Sequence, residues 1–218
     1  MKILFIPCYS KKKIFLNEKI LKKIEKYERV ALFTTTQHLA QLSKVKKFLQ
    51  SKGKKVVAFG QILGCSFGKI EKVKNKVDVF IYIGSGKFHA LGISARTEKP
   101  VIIFNPYTNS IDEISDDERK KYIARKKAAI LKALSAKVFG ILVSTKTNQF
   151  NFKKAIEIKK QIEKKGRKAF IFVGDEISPE KLLGFKVDLW LNTACPRISE
   201  DYFDKPIINL HDFSFDIL

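Results

Sequence analysis

Val77-Asp-Val-Phe-Ile-Tyr-Ile-Gly84 reads as a strand with no polar face, and it recurs about 110 residues later as Val187-Asp-Leu-Trp-Leu-Asn-Thr-Ala194. A continuous apolar run of this length suits a strand of a parallel sheet that is covered on both sides. The recurrence has company, in order and at similar spacing. Arg29-Val-Ala-Leu-Phe-Thr-Thr-Thr-Gln-His38 parallels Phe139-Gly-Ile-Leu-Val-Ser-Thr-Lys-Thr-Asn-Gln149, each a strand followed by hydroxyls. Ser51-Lys-Gly-Lys-Lys-Val56 parallels Lys164-Lys-Gly-Arg-Lys-Ala169, and Lys99-Pro-Val-Ile-Ile-Phe-Asn105 parallels Lys205-Pro-Ile-Ile-Asn-Leu-His211.

Working outward from the repeat, β-branched runs alternate with helical patterns along the whole chain. Strands are expected at Ile3–Ile6, Val30–Phe33, Lys55–Phe59, Val77–Ile83 and Val101–Phe104. They resume at Phe139–Val143, Ala169–Val173, Val187–Leu191 and Ile207–Asn209. Phe152, Ala155, Ile156, Ile158 and Ile162 recur near helical period up to Gly166. Ser115-Asp-Asp-Glu118 is a capping-box signature that opens a long basic helix to about Leu134. The expected fold is therefore α/β: two homologous, three-layer, parallel-sheet repeat domains, residues 1–135 and 136–218, facing a shared cleft.

A chain of 218 residues can bury a substantial core. No apolar run is long enough to span a bilayer, and the run at Ile3–Ile6 is too short for a signal peptide, so it reads as a first buried strand. Three cysteines, at 8, 65 and 195, make no paired framework, which points to a reducing, cytoplasmic setting. The net charge of +21 is uneven. Residues 1–135 carry 29 Lys+Arg against 11 Asp+Glu, residues 136–218 carry 14 against 11. Such a basic lobe attracts acidic surfaces. A nucleic-acid partner is not favoured, because the charge is lysine on helix faces without an arginine-rich run or a nucleic-acid motif.

Candidate chemistry gathers where strands end. Cys8 follows the first expected strand, Cys65 the third, and Cys195 ends the run Val187–Ala194. Pro196 interrupts any continuing ladder, and Arg197 places a permanent charge beside the thiol that favours thiolate. Three thiols suit zinc or an iron–sulfur cluster, although no C-x-x-C spacing is present. Gly84-Ser-Gly86 is also a tight strand-to-helix turn, His89 also a packed histidine, and Ser144, Thr145 and Gln149 also residues that cap the next helix.

Together, Gly60-Gln-Ile-Leu-Gly-Cys65, Tyr82-Ile-Gly-Ser-Gly-Lys-Phe-His89, Val143-Ser-Thr-Lys-Thr-Asn-Gln149 and Asn192-Thr-Ala-Cys-Pro-Arg-Ile198 resemble the diphthamide synthase family of archaea and eukaryotes, in order and over nearly the whole chain. The resemblance implies three homologous α/β domains, each giving one cysteine to a 4Fe-4S cluster. It further implies S-adenosyl-L-methionine bound at the cluster and cleaved reductively in a radical reaction. A 3-amino-3-carboxypropyl group would pass to a histidine of translation elongation factor 2. This sequence resembles the second and third domains and departs from the pattern in lacking the first. Cys65 and Cys195 match the ligands of those two domains. Cys8 matches none and is expected to replace the absent one.

On this resemblance, and from their strand-end positions, Gln37, Gly84, Ser85, Gly86, Ser144, Thr145 and Gln149 are expected to hold the polar groups of the cofactor. Arg197 would pair with its carboxylate. His89 and Arg197 are the candidate catalytic residues, His89 for contact or proton transfer. The implied partners are elongation factor 2 or another acceptor, an external electron donor, and a second copy or a paralogous subunit, with no membrane. The alternatives are a non-catalytic partner subunit or electron relay of a full-length synthase, an RNA- or ribosome-binding module, and a quinolinate-synthase-like enzyme.

Overall fold

Asp78 and Asp188, second residues of the repeated stretch, stand just ahead of their strands and hold the start of a neighbouring one. The Arg29 N–H donates to Asp78 Oδ2 at 2.8 Å, its guanidinium donates to Oδ1, and the Asp78 N–H donates back to the Arg29 carbonyl at 2.8 Å. In the second copy, Asp188 Oδ2 accepts from the N–H groups of Lys137 and Val138 at 2.8 and 2.9 Å. The Asp188 N–H donates to the Val138 carbonyl at 2.8 Å. The repeated strands accordingly begin at Val79 and Leu189, two residues later than expected.

The structure is a computed structural model that describes residue 4 and residues 6–218, with Ile217 described by its backbone. It forms two units, residues 1–122 and 123–218. In the first unit, β1 (Arg29–Thr34), β2 (Lys55–Gln61), β3 (Val79–Ile83) and β4 (Val101–Asn105) pair in parallel in the order β2-β1-β3-β4. A short β5 (Ser110–Glu113) adds antiparallel to β4. In the second unit, β6 (Val138–Ser144), β7 (Lys168–Gly174), β8 (Leu189–Asn192) and β9 (Ile207–Asn209) repeat that order as β7-β6-β8-β9, all parallel.

Helices cover both faces of each sheet, because successive strand residues point to opposite sides and both sides are apolar. Val30, Leu32, Val79 and Ile81 pack under α1 (Glu18–Lys23) and α3 (Leu42–Ser51). Ala31, Phe33, Phe80 and Tyr82 pack under α4 (Gly68–Val73) and α5 (Phe88–Ser94), while the short α2 (Thr36–Leu39) follows β1. In the second unit, α7 (Phe152–Lys164) and part of α6 (Asp116–Ser135) cover Phe139, Ile141 and Leu189. The small α8 (Pro179–Leu182) sits over Leu142 and Trp190. Ring size is matched across the register. Ala31 faces Phe80, whereas Gly140 faces the larger Trp190, whose ring lies 2.2 Å from where a Cβ at 140 would stand.

The capping box forms as expected, and α6 opens on it. Ser115 Oγ accepts the Glu118 N–H at 3.2 Å, and Glu118 Oε2 accepts the Ser115 N–H at 3.0 Å. The division between the units falls inside this helix. The expected strand Ile3–Ile6 lies partly outside the described residues. Its described members, Leu4 and Ile6, are in no strand and are 83% and 75% exposed. Both ladder positions beside β1 are taken by β2 and β3. The following segment is held instead by single bonds, Ser10 N–H to the Gln37 carbonyl at 2.7 Å and Ile14 N–H to Gln41 Oε1 at 2.9 Å. No helix among the described residues is long and apolar enough to cross a membrane.

The bonds from Arg29 hold the Asp78 carboxyl down at about 2, from an ordinary 3.8. Its contribution to stability is full above the unfolded value and is lost as pH falls through the folded one. Asp78→Asn is expected to lower the melting temperature at neutral pH. The gap to the parent should close between pH 3.8 and about 2, as followed by circular dichroism.

Candidate functional site

Parallel strands end together, so the loops after β1, β2, β3 and β4 leave the first sheet at one edge, where open α/β sheets take their ligands. Cys65 sits at the tip of a tight turn closed by pairing of Leu63 with Ser66, and its thiol is exposed. That turn rests on an aromatic ring. A Cβ at Gly64 would stand 2.4 Å from Phe88 Cε1, so only glycine lets the turn lie against Phe88. Phe88 packs edge-on against His89, with ring centroids 5.0 Å apart.

His89 in turn stacks on Tyr82 at 5.6 Å, and its Nδ1 lies 3.2 Å from the Tyr82 hydroxyl. Burial pushes the phenol up to about 12 and the imidazole down, so both are neutral near pH 7. Whichever of the phenol and Nδ1 donates in this pair fixes which ring nitrogen carries the proton. Tyr82 reaches His89 because it folds back over Gly84, where a Cβ would meet its oxygen at 2.5 Å. Ser85 and Gly86 continue this loop and are exposed. Lys87 anchors the loop through ion pairs to Asp112 at 2.9 Å and Glu118 at 2.7 Å.

Gln37 is exposed after β1, and its carbonyl receives Ser10, which brings the strap bearing Cys8 to the same edge. Cys8 is exposed, with its sulfur 3.9 Å from the Ile6 carbonyl. Next to Gln37 lies a residue the sequence reading left out of the site. His38 is 1% exposed, its ring nitrogens have no hydrogen-bond partner among the described residues, and it tilts against Tyr107 at 5.5 Å. The Tyr107 hydroxyl donates to Ser10 Oγ at 3.2 Å.

In the second unit the loops after β6, β8 and β9 likewise share one edge. Cys195 is half-buried and its peptide is held on both sides. Its N–H donates to Gln149 Oε1 at 3.2 Å, and its carbonyl accepts from Asn192 Nδ2 at 2.9 Å. Pro196 opens the 3-10 turn Pro196–Glu200, with Arg197 exposed and 3.3 Å from Asp201 Oδ1. Ser144 is buried, and its hydroxyl accepts the Lys146 N–H at 3.2 Å within the turn. Thr145 is exposed and donates to Asp175 Oδ1 at 3.2 Å. A cavity of about 400 Å³ between α6 and the edge strand β9 contains none of the expected site residues.

The first unit thus gathers Cys65, Gly84, His89, Gln37 and the Cys8 strap at one edge, and the second gathers Cys195, Gln149, Ser144 and Thr145. All three cysteines are free, and soft thiolates fit an iron–sulfur cluster by donor chemistry. No group of three or more His, Cys, Asp or Glu side chains among the described residues is preformed as a metal site. Tyr82, Phe88 and Asn192 were missed as site residues. The signal available was their place at the strand end or in the motif, next to residues already singled out.

The family described as "Putative diphthamide synthesis protein" matches residues 1–215. A 2-(3-amino-3-carboxypropyl)histidine synthase of Pyrococcus horikoshii is 35% identical over 94% of this chain and 62% of its own length. One from Methanocaldococcus jannaschii is 33% identical over 98% and 61%. The chain therefore spans about three fifths of the length of these curated relatives. Among solved structures, Dph2 from Pyrococcus horikoshii superposes with a TM-score of 0.75 at 31% identity, covering 89% of this chain and 59% of that one. A crystal structure of the same protein with a 4Fe-4S cluster gives 0.74 at 32% identity, over 89% and 58%.

Two outcomes follow from the packing. Gly84→Ala should displace the Tyr82 ring, lower stability by about 1–3 kcal/mol in denaturant unfolding, and shift the His89 titration seen by NMR. A histidine buried neutral gains its proton on unfolding, so stability is full above the ordinary value of 6.5 and falls as pH drops below it. His38→Leu should lose less stability than the parent between about pH 7 and pH 5.

Proposed function

Because the chain belongs to the diphthamide synthesis protein family, we propose that it is the catalytic part of a 2-(3-amino-3-carboxypropyl)histidine synthase acting on a histidine of translation elongation factor 2. Cys65 and Cys195 are its cluster ligands, and Cys8 is the third, brought to the strand-end edge by the bond from Ser10 to Gln37. The observation that carries this reading is the set of three free thiols, two on strand-end loops and one on the strap tied to Gln37, in a chain whose relatives bear that name. A 4Fe-4S cluster held there would supply the electron for reductive cleavage of S-adenosyl-L-methionine, which releases 5′-methylthioadenosine and a 3-amino-3-carboxypropyl group.

The residues of the chain bind, orient and hold protons. Arg197 exchanges Asp201 for the cofactor carboxylate, since its planar fork matches that group. Gln149 keeps Cys195 in place with its carbonyl oxygen and has its amide N–H groups for the methionine end. The exposed Ser85, Gly86, Gln37 and Thr145 line the polar approach, while Ser144 shapes the turn from within. His89 presents a neutral imidazole held against the Tyr82 hydroxyl, which suits it to move a proton from the acceptor ring. The lysine-rich first lobe suits an acidic protein partner.

The second reading is a partner subunit that supports a longer synthase. Anaerobic reconstitution followed by reduction separates the two. The catalytic reading expects a brown protein that forms 5′-methylthioadenosine; a cluster without cleavage supports the partner reading. Cys65→Ala and Cys195→Ala should each lose most of the bound iron by colorimetric assay. Cys8→Ser retaining full iron would remove Cys8 from the ligand set.

A further inference from the structure

The carboxyl ends of β8 and β9 carry two buried amides where an apolar core would be expected. Asn192 is 1% exposed and Asn209 is 4% exposed, and they face each other in register. Their polar atoms are engaged. Asn192 Nδ2 donates to Asn209 Oδ1 at 2.8 Å and to the Cys195 carbonyl at 2.9 Å, while Asn192 Oδ1 accepts the Ala194 N–H at 3.0 Å. Asn209 Nδ2 donates to Ser199 Oγ at 2.7 Å, and Ser199 Oγ donates to the Pro196 carbonyl at 2.9 Å. The chain of bonds grips the thiol's loop at residues 194, 195, 196 and 199.

The fold does not require this arrangement, and the first unit shows why. Its residues at the same register are Tyr82 and Ile103, which pair in the equivalent strands without an amide. The loop that follows there carries Ser85 where the second unit carries Cys195. An amide pair is costly to bury unless all its donors and acceptors are met. In the second unit they are met by each other, by the peptide groups of Ala194 and Cys195 and by the Ser199 hydroxyl.

We propose that Asn192 and Asn209 are positioning residues for Cys195, forming a bracket that fixes its backbone so that the half-buried thiol is presented in one geometry. The proposal deepens the reading of Cys195 as a cluster ligand and rests on it for its purpose. The bracket itself is testable with no cluster present.

The test is iodoacetamide alkylation of the metal-free, reduced full chain, with each cysteine followed by mass spectrometry and Cys65 as internal reference. Asn209→Leu breaks the bonds to Asn192 and Ser199 and should raise the Cys195 rate about fivefold, the factor of roughly one lost hydrogen bond. The Cys65 rate should stay as in the parent. Ser199→Ala cuts the bracket at its outer end and serves if Asn209→Leu does not fold. Ile208→Ala is the control, since it destabilises the same strand from a neighbouring buried position without touching the bracket. Unchanged Cys195 rates in Asn209→Leu and Ser199→Ala, or an equal rise in Ile208→Ala, would overturn the proposal. After reconstitution, Asn209→Leu should also yield iron to a chelator several times faster than the parent. If the alkylation result holds and this second rate is unchanged, the bracket stands and the ligand reading of Cys195 falls.

Discussion

The register of each sheet is set at its amino end, by an aspartate that holds the first peptide of a neighbouring strand. Once Asp78 has fixed Arg29 against the start of β3, every later pair along β1 and β3 follows, from Val30 with Val79 to Thr34 with Ile83. Asp188 does the same for β6 and β8. Because the strands are parallel, a register fixed at one end dictates which side chains arrive at the other. The placement of Tyr82 and Asn192 beside their loops is thus a consequence of carboxylates about a strand's length away.

From that shared frame the two copies diverge in chemistry where the chain leaves the sheet. In the first, an aromatic side chain at the end of β3 supports an imidazole seven residues on. In the second, an amide at the end of β8 supports a thiol three residues on. The interior of each unit is apolar on both faces and tolerates this, since these supporting contacts lie at the carboxyl ends of the strands and in the loops beyond them. The chemistry of each copy is therefore decided by a few side chains on an invariant support.

Most of the architecture was readable because a parallel sheet buries its strands on both faces and so writes them as apolar runs. The capping box at Ser115 and the helix ending near Gly166 were readable for similarly local reasons. The strand β5 was not. Ser110-Ile-Asp-Glu alternates like a half-exposed edge and is too short to stand out. The segment around Leu4 and Ile6 was misread because an apolar run does not say whether a sheet edge is free to accept it. The cysteines and Gln149 could be picked out by type and position. The amide bracket could not, because it joins Asn192 to a residue on a different strand, and His38 could not, because its burial depends on Tyr107 far along the chain.

The match between ring and neighbour has a consequence for how this chain can change. Tyr82 lies over a glycine at 84, while Asn192, smaller at the corresponding place, is followed two residues later by Ala194. Phe80 faces Ala31, and the larger Trp190 faces a glycine. In both pairs bulk gained at one position is given up at the other, so the single steps between the copies pass through a clash or a void. These positions are sterically coupled as pairs. A duplicated unit can cross between the two states only by changing both members, which leaves each copy committed to the loop it already supports.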